Sequence, residues 1–142
     1  PGMLGKAVGA FLKMVRKPFL NITTAEVCGL ASRLEPPVAW TKAILASADP
    51  VALDVHAAKH VLFANSRISV HDPEDPDSPT SQYLRSCSAE GEFCFDESKI
   101  LVHSFDFSSR TAAEDRELGI EAETEWGGNI KALLKFAAFR VL

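Results

Sequence analysis

In "LGKAVGAFLKMVRK", Leu4, Val8, Leu12 and Val15 recur at intervals of four, four and three, lining one face of a helix that ends before Pro18. "FLNI" is a short β-prone run, and "TTAE" at Thr23 to Glu26 has the Ser/Thr-x-x-Glu form of a capping box, which predicts a short helix through Leu34. Glu35-Pro36-Pro37 ends it, because proline lacks an amide hydrogen and disfavours helix in the residue before it. From Ala43 to Ala46 the chain is continuously apolar, the mark of a short strand covered on both faces. Asp49 suits a helix N-cap and Pro50 the first helical position. Val51, Val55, Ala58 and Leu62 then form one stripe of the helix that follows.

Polarity changes abruptly at "HDPEDPDSPTS", His71 to Ser81, which has three prolines, four acidic residues and no apolar residue. Its centre, residues 72–80, reads as a solvated acidic loop; Asp72, Glu74, Asp75 and Asp77 lack the spacing and the glycine of an EF-hand. Thr80 is placed to cap a helix that carries Tyr83, Leu84 and Cys87 on one face and stops at Gly91. Lys99 to Phe107 alternates and is rich in β-formers, which predicts a strand. The polar stretch after it holds one short helix to Leu118, with Trp126 as an anchor. "GGNIKALLKFAAFRVL" reads as a terminal helix capped by Asn129, with Ile130, Leu133, Leu134, Ala137 and Val141 as its core face. Apolar strands alternating with helical segments imply one α/β domain over residues 1–142, with a small, mainly parallel or mixed sheet and surrounding helices.

Composition narrows the function classes. The net charge of −4 has no cluster of Lys and Arg behind it, so nucleic acid is excluded as a partner on electrostatic grounds. No apolar run reaches the roughly 20 residues of a membrane-spanning helix, and no secretory signal is evident, which favours a cytoplasmic location. Pro1 and Gly2 precede Met3, as in a chain that carries a vector-derived remnant or is a piece of something longer. Three cysteines, Cys28, Cys87 and Cys94, are too few and too widely spaced for a zinc or iron–sulfur cluster. Cys87 and Cys94 could pair in an oxidising compartment, but reduced, buried thiols fit better.

Chemistry has few candidates. His56 and His60 stand four residues apart on one helix, a spacing at which both imidazoles can reach one metal ion. A third ligand is missing from the local sequence, and the zincin general base would occupy the place of Ala57. The pair also lies opposite the apolar stripe, so two solvent-facing histidines compete with a metal site. His71 and His103 could join it only through tertiary contacts. No nucleophile elbow, Walker loop or Gly-x-Gly-x-x-Gly is present; "WGGN" reads as a turn, and Cys94, between two phenylalanines, reads as buried and unactivated.

The run "ILASADPVALDVHAAKHVL" resembles the signature of the prokaryotic domain of unknown function 362 family, an apolar strand followed by Asp-Pro-Val-Ala-x-Asp and a small-residue helix. "YLRSCSAEGEF", "ESKILVHSF" and "LNITTAEVCGL" are similar to segments around that signature, so the resemblance spans Phe19 to Phe107 and corresponds to the C-terminal portion of the family domain. It implies an α/β fold in a redox, iron–sulfur-associated context with an iron–sulfur protein as partner, although this chain lacks the cysteine motif for such clusters. It also implies that Asp49 and Asp54, the positions matching the motif, lie near a site. The alternative is a noncatalytic interaction module in which residues 129–142 form an apolar helix that docks on a partner or a second copy.

Overall fold

A computed structural model describes residues 1–30, 37–106 and 135–141, with residues 105–106 and 135–141 described as backbone only. The chain runs through α1 (Gly2–Val15), β1 (Asn21–Gly29), β2 (Val38–Ser47) and α2 (Pro50–His56). Without a break, α2 passes into a π-helical stretch, Ala57–Phe63, and a last α-turn, α3 (Ala64–Ser66). A 3₁₀ turn (Ser69–His71), α4 (Pro79–Gly91), a second 3₁₀ turn (Glu97–Lys99), β3 (Ile100–Asp106) and β4 (Lys135–Val141) follow.

Among the described residues, four strands form one sheet in the order β1-β2-β4-β3. β1 and β2 are antiparallel, β2 and β4 parallel, and β3 and β4 antiparallel. Of the two expected alternatives, mainly parallel or mixed, the sheet is the mixed one: among the described strands the one parallel pair lies at its centre, flanked by antiparallel edges.

Two predicted helices are strands. Thr23 to Glu26 lies within β1, where Ile22, Thr23, Thr24 and Val27 favour the extended backbone. Backbone amides that the capping box would have served are paired instead with β2, from Asn21 opposite Ser47 to Gly29 opposite Val38. Residues 31–36, the rest of that predicted helix, lie outside the described residues. The ladder slips between Ala25 and Val27. There Thr41 and Lys42 together oppose Glu26, a β-bulge in which Lys42 takes a left-handed φ of 49° and the Thr41 hydroxyl donates to the Ala25 carbonyl. At the other end of the chain, Lys135 to Val141 is the strand β4 and not part of a terminal helix. Its backbone is engaged on both sides, by β2 and β3, so this segment offers no helical face to a partner. Residues 129–134 and 142, the remainder of that helix, and the polar stretch with Trp126 and "WGGN", lie outside the described residues.

The expected strands at Ala43 to Ala46 and Lys99 to Phe107 are present with moved ends: β2 starts at Val38, and Lys99 belongs to a 3₁₀ turn before β3. α4 begins at Pro79, and its cap is Ser78, whose hydroxyl accepts from Ser81 N; Thr80 instead donates its hydroxyl to the Val70 carbonyl. Ser78 also donates to the Asp72 carbonyl, which closes the acidic loop on itself at the start of α4, and Pro73 is buried.

α2 is the joint of the molecule. Leu53 packs with Leu45 of β2 and with Ile100 of β3, while Val51, Val55 and Ala58 pack against Leu84, Cys87 and Phe93. α1 covers α4 with Val8 and Leu12. The two helices approach closely through Gly5 and Gly9: a Cβ on Gly5 would lie 2.3 Å from the Tyr83 carbonyl oxygen, and one on Gly9 2.5 Å from that of Cys87. Among the described residues no helix is long and apolar enough to cross a membrane.

Candidate metal centre

The turn from β2 to α2 fixes the register of everything downstream. Asp49 Oδ1 accepts from Val51 N and Ala52 N, both at 2.9 Å, and its Oδ2 accepts from Cys94 N at 2.9 Å. The Asp-Pro turn is thus the capping device expected, with an added tie to the segment after α4 that local sequence did not reveal. These three bonds give Asp49 a structural task as cap and tie, and it also lines a cavity with Lys17, Cys94 and Lys99. The tie anchors Cys94, three residues before the 3₁₀ turn that begins at Glu97.

On that helix His56 is half-buried and His60 exposed, with ring centroids 4.4 Å apart and planes tilted by 35°. His60 lies within the π-helical stretch, a rare geometry that is frequent at functional sites. The third group comes from the far side of α4. Glu97 Oε1 is 2.5 Å from His60 Nε2, and ligand atoms of His56, His60 and Glu97 all lie within 4.8 Å of one another. Tetrahedral coordination at bonds of 2.0–2.2 Å places ligand atoms about 3.3 Å apart, so small side-chain rotations bring the three onto one ion.

Electrostatics around the cluster favour that use. Burial, reinforced by His60, pushes the His56 imidazole down to about 4, so it is the neutral, metal-competent form across ordinary pH. Burial alone would raise the Glu97 carboxyl, but hydrogen bonds from Lys59 and His60 outweigh it and hold the acid below its usual range. Lys59 bridges Glu97 Oε2 and, at 2.8 Å, Glu74 Oε1, and these hydrogen bonds raise its own pKa. A carboxylate oriented through its second oxygen by an ammonium is the arrangement that fixes a ligand from behind. Lys59 is in turn neutralised by Glu74, so its charge is offset within the cluster.

The remaining candidates fall elsewhere. His71 Nδ1 bonds Ser66 Oγ at 2.9 Å, and His103 lies exposed on β3; neither joins the cluster. Asp54 lines a different groove, between α2 and β1, with Val27, Cys28 and Tyr83 among its walls. Part of its side chain reaches solvent, yet burial of the carboxyl in that groove raises its pKa to about 6. The three thiols are free; only Cys87 is buried, while Cys28 and Cys94, the latter expected to be buried, are half-buried, and desolvation raises all three, so Cys94 is not an activated nucleophile. Of the acidic loop, Asp72 and Asp75 each accept a backbone amide two residues on, in local turns.

Glu97 was beyond sequence reasoning, because nothing in "FDESKI" marks a ligand 37 positions from His60. Compared with family models, curated proteins and solved structures, the chain matches none. The resemblance to the domain of unknown function 362 family gains no support from them and rests on its motif alone.

Proposed function

We propose that this protein is a metal-binding α/β domain in which His56, His60 and Glu97 hold a divalent transition metal, zinc in the first place, with one coordination position left for an outside ligand. The carrying observation is the convergence of two imidazoles and a carboxylate within 4.8 Å, from elements far apart in sequence. Two nitrogen donors and one oxygen donor suit zinc or iron rather than calcium or magnesium, which prefer all-oxygen shells. Three protein ligands are the number found in sites that keep an open position, whereas structural zinc sites close with four.

A metal bound there would supply Lewis-acid polarisation of its fourth ligand. The chain's own residues do the rest: His56 and His60 bind as neutral imidazoles, Glu97 offers Oε1, and Lys59 holds Oε2. Ala57 stands where a zincin has its general base, so peptide hydrolysis in the zincin manner is not the reading favoured.

Calorimetric titration of metal-free protein with zinc tests this. Stoichiometric binding that is lost in His56→Ala/His60→Ala and in Glu97→Gln, with each variant folded by circular dichroism, is the expected result. Binding unchanged in both variants would remove the site.

A further inference from the structure

Beside the histidines the surface opens into a cavity of about 580 Å³, lined by Lys59, Glu74, Arg85, Phe95 and Glu97 among others. The metal cluster and the cavity therefore share a wall, Lys59 and Glu97. The volume is that of a small-molecule site.

The charges on this wall are unequal in what they have left to give. Lys59 is spent on Glu74 and Glu97, and Asp96 on Ser98 and Lys99. Arg85 forms no ion pair among the described residues. Its guanidinium is nevertheless fixed: Nε donates to Ser81 Oγ at 2.9 Å, and the planar group stacks over the Phe95 ring, 4.3 Å from the centroid. Among the described residues both terminal nitrogens remain as donors on a group whose orientation is already set. An arginine held by its inner nitrogen and its flat face presents the parallel pair of N–H groups that fits an oxyanion in two-point fashion.

The balance of charge points the same way. On this wall Lys59 and Arg85 face Glu74, Glu97 and Asp96, and Asp96 is answered by Lys99 just outside it; a divalent cation on the histidines would turn the remaining balance positive. We infer that the cavity binds a small molecule bearing a carboxylate or phosphate, gripped by Arg85 and thereby held beside the metal cluster. The grip on the oxyanion stands on Arg85, Ser81 and Phe95; its placement next to a metal rests on the function proposed above.

The test is titration of metal-free, isotope-labelled protein with inorganic phosphate, and in parallel with acetate, followed by NMR at the Arg85 side chain and the backbone of Ser81 and Phe95. Wild type is expected to show saturable shifts there with at least one of the two anions, and the stronger identifies which oxyanion the site takes. Arg85→Gln is expected to weaken that binding at least tenfold while zinc affinity is unchanged, and Arg85→Lys, which keeps stem and charge, to weaken it severalfold. His60→Ala is expected to lose zinc and keep the anion. Anion binding equal in wild type and both Arg85 variants, or no saturable shift in folded wild type, overturns the inference. Zinc binding absent from wild type with the Arg85 dependence intact would instead strike the metal reading alone.

Discussion

Glu97 Oε1 and His60 Nε2 meet at 2.5 Å although 37 positions separate them in the chain. The contact depends on the tie between Asp49 and Cys94, because that hydrogen bond holds the strand-entry segment against the start of α2 and so sets where Glu97 turns under the helix. Removing the tie should therefore loosen the cluster indirectly, whereas removing a ligand should abolish it.

Asp49→Ala leaves three backbone amides without their acceptor and should lower stability by about 2–3 kcal/mol in urea unfolding. Asp49→Asn keeps one side-chain acceptor and should recover roughly half of that. A loss below about 0.5 kcal/mol for Asp49→Ala would show that the carboxylate is not the cap that the geometry makes it.

Exposed helical glycines usually gain about 1 kcal/mol on replacement by alanine. At Gly9 the sign should reverse, since the new Cβ would lie 2.5 Å from the Cys87 carbonyl oxygen and 3.0 Å from Gly91 N, both backbone atoms. Separation of α1 from α4 to accommodate it should cost about 1–3 kcal/mol, and a stabilised Gly9→Ala protein by thermal melting would refute the close approach.

Asp54 supplies a pH signature. Its folded pKa of about 6 stands above the model-peptide value of 3.8, so the folded state holds a proton that the unfolded state releases. The associated stability is fully present below the unfolded value and is lost as pH rises through the folded one, across the window from about 4 to about 6. Because part of the side chain is solvated, the effect should be about 1 kcal/mol rather than the full shift. Asp54→Asn should flatten the difference in stability between the two ends of that window; an unaltered slope would place the carboxyl in ordinary solvent.

Much of the helical architecture was legible because it is locally determined. The helix at Leu4 to Val15 and the Asp-Pro start of α2 obey short-range rules, but packing chose other faces and ends: α1 buries Gly5 and Gly9 while Leu4 and Val15 stay exposed, and α4 runs through Gly91 to a left-handed Glu92. The errors share one cause. "TTAE" and "KFAAFRV" satisfy a helical pattern and a strand pattern equally, and the choice was made by strand partners far away: β2 for the first, β2 and β3 for the second. Chain topology likewise made the sheet mixed, a property that no local run of apolar residues encodes. For the site, the spacing of His56 and His60 was readable, and their companion was not, since ligands contributed across a fold leave no periodic trace. The π-helical stretch around His60 had no signal in the sequence either.

The most direct measurement is the visible absorption spectrum of metal-free protein titrated with cobalt(II), beside Glu97→Gln and His60→Ala. The account predicts ligand-field bands that saturate stoichiometrically in wild type, displaced by zinc and absent from both folded variants. A folded wild type without such bands, or variants that reproduce them, would contradict a metal held by His56, His60 and Glu97.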